Sequence, residues 1–251
     1  MKALILAAGY ATRLYPLTKE YPKPLLKVGK RPIINYIIDK LQAIDDIDEI
    51  IVVTNSKFMP KFNKWRSNLR SKKPISLVDD LTKSNSDRRG AIGDITFVVN
   101  KKCLKDDLLV MGGDNLFSGD LKEFFSFVKG NTSPVIGAYN IKDKSAAKKY
   151  GVIKLDKKNK LVDFKEKPKN PKSTLIAMCL YYFPKGKLKL IKEYLNNKKE
   201  KYDATGFYID WLRKKVPVYG FVFDGFWYDI GDHKFYREAK QRFIQKSNRS
   251  A

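Results

Sequence analysis

Four short stretches of this chain bring together the residue types that handle phosphate. The first is Leu6-Ala7-Ala8-Gly9-Tyr10-Ala11-Thr12-Arg13, a run of small residues that leaves a short apolar segment. Small side chains at the carboxyl end of a parallel strand let backbone N–H groups approach a phosphate, and an arginine there offers a permanent planar cation to a triphosphate. The run has neither the P-loop nor the dinucleotide-fingerprint glycine spacing, so an ordinary strand-to-loop turn explains it equally well as a bare pattern. The second is Pro22-Lys23-Pro24-Leu25, where two prolines stiffen the backbone around a lysine whose charge can then meet a phosphate. The third, Gly112-Gly113-Asp114-Asn115, closes the apolar run Leu108 to Met111 and puts the Asp114 carboxylate at a sheet edge, where α/β proteins bind ligands. A turn or helix-capping aspartate is the alternative. The fourth is Trp227-Tyr228-Asp229-Ile230-Gly231, whose aspartate sits among aromatic residues, a setting in which a carboxylate needs a partner. Capping a helix that starts near His233 is the competing role for Asp229.

Leu6 to Thr18, followed by Pro22 to Leu25, closely resembles the signature of the sugar-phosphate nucleotidyltransferases, or nucleotide-sugar pyrophosphorylases, of glucose-1-phosphate thymidylyltransferase type. Gly113-Asp114-Asn115, Tyr150-Gly151-Val152, Phe164-Lys165-Glu166-Lys167-Pro168 and Trp227 to Gly231 resemble the later motifs of that family, in its order. The resemblance implies a nucleotide site at Leu6, Ala7, Ala8, Gly9, Thr12, Arg13 and Gly90, with Arg13 and Lys23 as catalytic cations. It implies sugar-phosphate contacts at Asn115, Gly151, Glu166 and Lys167, with Glu166 accepting from sugar hydroxyls and Lys167 meeting the phosphate. As bare strand neighbours, Glu166 and Lys167 would face opposite ways and read as an exposed charged turn. Asp114 and Asp229 are the implied metal ligands; a shared Mg²⁺ suits them, since that ion takes one or two carboxylates plus phosphate oxygens and waters. The implied reaction joins a nucleoside triphosphate to a sugar 1-phosphate, giving a nucleotide sugar and pyrophosphate. Two alternatives stand beside it: the same chemistry on a non-sugar alcohol phosphate such as phosphocholine or inositol phosphate, and a catalytically silent binding or regulatory module.

The sequence departs from the family in two places. Ala11 stands where a second glycine is usual, at a cost of roughly 1 kcal/mol if that position needs positive φ. The segment Ser84 to Asp94, which would face the base, has Gly90 where a glycine is expected but unfamiliar residues around it.

These residues need a scaffold, and hydrophobic periodicity supplies one. Apolar runs at Lys2 to Ala7, Glu49 to Thr54, Ile75 to Val78 and Leu108 to Met111 predict strands. The three- and four-residue spacing of Ile34, Ile37, Ile38 and Leu41 predicts a helix, with another over Pro60 to Leu69, while Ala91 to Val98 reads as helix or strand, with helix preferred. Such alternation implies an α/β fold, a Rossmann-like, mostly parallel sheet with helices on both faces. Beyond it, strands at Val135 to Tyr139, Val152 to Leu155, Leu161 to Phe164, Leu175 to Phe183 and Val218 to Phe223 predict α+β material. Helices over Lys187 to Asn196, Thr205 to Arg213 and from His233 belong to the same part, a smaller sugar-binding lobe inserted into the first sheet or laid beside it. We expect one catalytic domain over 1–251, with a nucleotide half at about 1–130 and a sugar-phosphate half at about 131–231. About 20 residues follow Gly231, so the carboxy-terminal β-helix domain of some relatives is expected to be absent.

Composition narrows the class further. At 251 residues and 43% hydrophobic, the chain can bury a substantial core. Two cysteines, Cys103 and Cys179, are too few for a disulfide framework, and no apolar run approaches the roughly 20 residues that cross a bilayer, so a cytoplasmic protein with no membrane partner is expected. The net charge of +24 attracts polyanions. No zinc-finger, RNP or helix-turn-helix pattern accompanies it, so specific nucleic-acid binding is not expected. Homo-oligomerisation is left open.

Overall fold

The computed structural model describes residues 1–196 and 204–248. The chain opens on β1 (Lys2–Leu6), whose Ala3, Leu4 and Ile5 are all buried. A strand apolar on both faces is satisfied only inside a sheet covered on both sides. A small hairpin of β2 (Lys27–Val28) and β3 (Arg31–Pro32) leads into α1 (Ile33–Gln42), which buries the predicted face of Ile34, Ile37, Ile38 and Leu41. Then β4 (Glu49–Thr54), α2 (Met59–Ser67), β5 (Ile75–Asp79), α3 (Gly90–Lys101) and β6 (Leu108–Gly112) alternate as the periodicity predicts. The remaining elements are β7 (Asn115–Phe117), α4 (Leu121–Val128), β8 (Val135–Asn140), α5 (Lys144–Ala147), β9 (Gly151–Leu155), β10 (Leu161–Glu166) and β11 (Leu175–Phe183). After them come α6 (Lys189–Asn196), α7 (Thr205–Lys215), β12 (Tyr219–Phe223), β13 (Trp227–Asp229) and α8 (His233–Asn248).

One nine-stranded sheet runs β10-β9-β11-β6-β1-β4-β5, with β8 pairing β11 and β12. Its nucleotide side is parallel: β1 lies between β6 and β4, and β5 follows β4. The join is antiparallel, β11 against β6 with Leu180 opposite Met111. Strands of the second half therefore extend the first sheet and do not form a separate layer. The period-two alternation of strands sorts the core. Ala3 and Ile5 face α1, α2 and α4 through Ile34, Phe62 and Phe124, while Leu4 faces α3, α6 and α7 through Ile95, Ile191 and Leu212. Among the described residues no helix is long and apolar enough to cross a membrane.

Besides the β2–β3 hairpin and α5, two features were not predicted. The helix α4 buries Leu121, Phe124, Phe125 and Val128, a spacing readable in the sequence, and Asp120 caps it by accepting from the Lys122 N–H at 2.8 Å. The other is a two-stranded ribbon in which β13 runs antiparallel to β7, placing Asp229 opposite Asn115. Three-residue strands separated by more than a hundred positions leave no periodicity to find, yet this ribbon closes the site.

Removing the Asp120 cap leaves an orphan N–H at the start of α4. Asp120→Ala is expected to destabilise the protein by about 1 kcal/mol, read as a lower urea midpoint with unchanged slope.

Candidate active site

The parallel strands β1 and β6 end side by side, and the Gly113 N–H donates to the Leu6 carbonyl at 2.9 Å. A Cβ on Gly113 would lie 2.9 Å from that carbonyl oxygen and 3.1 Å from Pro24 Cγ. The glycine thus lets the first loop, the Pro22–Lys23–Pro24 turn and the end of β6 converge. Asp114 emerges at this point, and its carboxylate forms a close ion pair with the Lys23 ammonium. The turn or capping role is thereby set aside for Asp114.

The β7–β13 ribbon delivers Asp229 to the same place, where its carboxyl hydrogen-bonds that of Asp114. Burial, and then the negative charge of Asp114, pushes the Asp229 carboxyl up to about 7. Burial also opposes ionisation of Asp114, but the adjoining Lys23 ammonium outweighs it and holds that carboxyl below its ordinary value. Gly231 lies between Asp229 and Arg13: a Cβ there would be 3.7 Å from both Asp229 Oδ2 and Arg13 Nη2. The helix-capping role belongs to Asp232, whose Oδ1 accepts from the Lys234 and Phe235 N–H groups.

A cleft of about 270 Å³ takes in Arg13, Asp114, Asn115, Gly151, Glu166, Lys167 and Asp229. A smaller depression of about 120 Å³ takes in Leu6, Ala7, Gly9 and Lys23, and Asp114 borders both. Ala8, Thr12 and Gly90 line neither. Ala8 is buried with its carbonyl accepting from Asn55 Nδ2 at 2.8 Å, and Thr12 is exposed at the start of a 3₁₀ turn. Gly90, with φ +72°, begins α3 and presents the next residue, Ala91, to the cleft. Asn115 lines the cleft, but its amide braces the ribbon, donating to the Cys179 carbonyl at 2.8 Å and accepting from Trp227 Nε1 at 3.0 Å.

Glu166 and Lys167 do not face opposite ways. Lys167 leaves the strand with φ +45°, which returns its ammonium to 3.6 Å from Glu166 Oε1. Burial raises the Glu166 carboxyl and Lys167 partly offsets it. Gly206 gives Glu166 its room, for a Cβ there would fall 1.9 Å from Glu166 Oε2. Sequence reasoning missed other walls of the cleft. Ala177, Cys179 and Tyr181 reach it from alternate positions of β11, concealed in a continuous apolar run, and the Tyr181 hydroxyl lies 2.8 Å from Thr205 Oγ1. Tyr150 packs edge-to-face on Trp227, ring centres 5.0 Å apart.

Such a cleft, at the carboxyl edge of a parallel sheet with cations, paired carboxyls and a glycine-permitted approach, defines a phosphate-handling α/β protein. The chain belongs to the nucleotidyl transferase family, whose model matches residues 2–246. It is 29% identical over 249 residues to the bifunctional protein GlmU of Methanocaldococcus jannaschii, covering 99% of this chain and 55% of that one. A GlmU of Methanococcus aeolicus is 29% identical over 231 residues, 92% of this chain and 51% of its own. The chain thus spans about half the length of these relatives. In fold it is similar to a UDP-glucose pyrophosphorylase solved with UDP-glucose, TM-score 0.82 at 22% identity, over 98% of both chains.

Ala11 does occupy the left-handed region, at φ 48° and ψ 45°, with its carbonyl held by Thr18 Oγ1 at 2.8 Å. That conformation costs an L-residue about 1–2 kcal/mol, and the greater unfolded freedom of glycine offsets part of any relief. Ala11→Gly is therefore expected to stabilise the protein by about 0.5–1 kcal/mol in chemical denaturation.

Proposed function

We propose that this chain is a sugar-1-phosphate nucleotidyltransferase, and the observation that carries the reading is the joining of two half-sites at Asp114. On one side lie the small-residue loop and Lys23; on the other lie Glu166, Lys167 and the cleft. A nucleoside triphosphate fits the first and a sugar 1-phosphate the second, with Arg13, Lys23, Asp114 and Asp229 around the junction.

A phosphate oxygen of the sugar 1-phosphate attacks the α-phosphorus of the triphosphate. The new P–O bond forms as the bond from the α-phosphorus to the α,β-bridging oxygen breaks, and pyrophosphate leaves with that oxygen. No protein nucleophile is required, so catalysis reduces to positioning and neutralising charge. Arg13 offers its planar donors to the triphosphate and the departing pyrophosphate. Lys23, held against Asp114, meets phosphate near the reacting centre. The desolvated Glu166 accepts hydrogen bonds from sugar hydroxyls, and the exposed ammonium of Lys167 meets the sugar phosphate.

The donor set fits Mg²⁺. Asp114 and Asp229 are two touching carboxyls that line the cleft with Lys23 paired to Asp114, and burial, then the charge of Asp114, lets Asp229 keep a proton to near pH 7. Among the described residues no cluster of three or more His, Cys, Asp or Glu forms a closed metal cage, which agrees with an ion that keeps waters and phosphate oxygens. When bound, Mg²⁺ would supply charge neutralisation on the phosphates.

The test is pyrophosphate release from ATP, CTP, GTP, UTP and dTTP, each with glucose 1-phosphate, mannose 1-phosphate, N-acetylglucosamine 1-phosphate or phosphocholine. Turnover with a sugar phosphate is expected, and Asp114→Ala and Asp229→Ala are each expected to lower it by at least about 100-fold. Unchanged activity in both variants would sink the assignment, and turnover with phosphocholine alone would move it to the alcohol-phosphate class. A pH prediction follows from the raised Asp229 carboxyl, whose proton competes with the metal. The Mg²⁺ concentration giving half-maximal rate is expected to rise as pH falls through about 7, by up to about tenfold per unit. A Mg²⁺ requirement equal at pH 6 and pH 8 would contradict it.

A further inference from the structure

On the nucleotide side of the cleft, two more carboxyls meet that the proposed reaction does not use. Asp80 directly follows β5, and Asp94 lies in the second turn of α3; their side chains hydrogen-bond each other, and they are 1% and 7% exposed. The surrounding bonds locate the proton between them. Asp80 Oδ1 accepts from the Thr82 N–H at 2.7 Å and from Thr82 Oγ1 at 2.8 Å. Its Oδ2 also lies 3.0 Å from Thr82 Oγ1, and donors facing a carboxyl favour its charged form, so Asp80 is the better place for the charge and Asp94 donates to it. The other oxygen of Asp94, Oδ1, is buried without a hydrogen-bond partner, tolerable for the carbonyl of a neutral acid and far costlier for a carboxylate.

Burial, and then the charge of Asp80, pushes Asp94 up to about 8. The charged groups acting on Asp94 are Asp80 and Arg89, and Asp79 also acts on Asp80. Arg89 lies over the Phe97 ring and gives its Nε–H to the Asp80 carbonyl at 2.6 Å, so it does not neutralise the pair by direct contact with either carboxyl. Among the described residues α6, α7 and β1, which pack against α3, add no charged group to those acting on Asp94.

The pair is wired to the nucleotide loop. Having given its own proton to Asp80, the Thr82 hydroxyl accepts from the Tyr10 hydroxyl at 3.3 Å, and Tyr10 adjoins Gly9 in the wall of the smaller depression. The Thr82 carbonyl accepts from the Ser56 N–H at 2.9 Å, which fixes the strand end. In the other direction, Ala91 stands three positions before Asp94 on the same helix face and lines the cleft.

We propose that Asp94, by holding a proton for Asp80, is the positioning residue of the nucleoside side: the chain Asp94–Asp80–Thr82–Tyr10 locks the amino-terminal half of α3 to the nucleotide loop. Loss of that proton sets two carboxylates against each other beneath the site and weakens triphosphate binding. The inference rests on the nucleotidyltransferase reading and deepens it, giving the unfamiliar Ser84 to Asp94 segment a function.

Asp94→Asn tests it, because the amide keeps a donor toward Asp80 in nearly the same shape and cannot ionise. Steady-state rates would be measured from pH 6.5 to 9, varying first the triphosphate and then the sugar phosphate that the wild type turns over. From pH 7 to 9 the wild-type KM for triphosphate is expected to rise about tenfold, as the competent fraction falls, while the KM for sugar phosphate stays level. Asp94→Asn is expected to hold both constants level across the same range. Thr82→Val, which cuts the chain and keeps both carboxyls, is expected to raise the triphosphate KM severalfold at pH 7 and leave the sugar-phosphate KM unchanged. An alkaline rise in Asp94→Asn equal to that of the wild type, or a triphosphate KM untouched by Thr82→Val, overturns the inference alone. A wild type with no turnover at any pH removes the proposed function and this inference together.

Discussion

Asp114 and Asp229 touch although both are acids and water is largely excluded from them. Like charges at contact in a poor dielectric repel strongly, so the arrangement persists only where something positive compensates. Lys23 supplies one charge directly, through its ion pair with Asp114, and Arg13 stands beyond Gly231. The balance is incomplete, and Asp229 meets the deficit by keeping a proton. Burial is the first cause of that proton and the charge of Asp114 the second, so further positive charge entering the cleft would favour its release.

Much of the fold follows from holding that contact. Asp114 is placed by the central parallel strands, the most deeply covered part of the sheet, and Lys23 by a turn whose prolines restrict its backbone. Asp229 has no such support from the large sheet. It depends on the three-residue ribbon with β7, and that ribbon on Asn115, whose amide ties Trp227 to the β11 carbonyl of Cys179. The buried side chain of Asn115 therefore braces the second carboxyl, although the family resemblance implies a sugar-phosphate contact for it.

The strands and helices legible in the sequence are those whose stability comes from a continuous apolar face. Glu49 to Thr54 and Leu175 to Phe183 have the predicted limits because burial on both faces demands an unbroken apolar run. The contacts that assemble the site were not legible, because they join residues remote in sequence through polar atoms: Lys23 with Asp114, Asn115 with Trp227, Tyr181 with Thr205. The opposed facing of Glu166 and Lys167 failed for a local reason. Strand alternation assumes extended backbone, and Lys167 leaves the strand in the left-handed region. At Ala11 the sequence posed the question and only the backbone could answer it, since alanine in that region is disfavoured but not forbidden.

The two carboxyl pairs flanking the nucleotide loop solve the same electrostatic problem differently. At Asp114 and Asp229 a lysine sits in contact, one carboxyl is held ionised, and the pair opens onto the cleft, where further cations can enter. At Asp80 and Asp94 no ammonium or guanidinium among the described residues touches either carboxyl, both are sealed from solvent, and the missing positive charge is a proton. A buried proton-bridged pair is directional, because one partner must donate and the other accept, so it fixes geometry in a way that two solvated carboxylates cannot. The cleft-facing pair is thus open to a change of counter-charge, whereas the buried pair keeps its proton away from solvent ions.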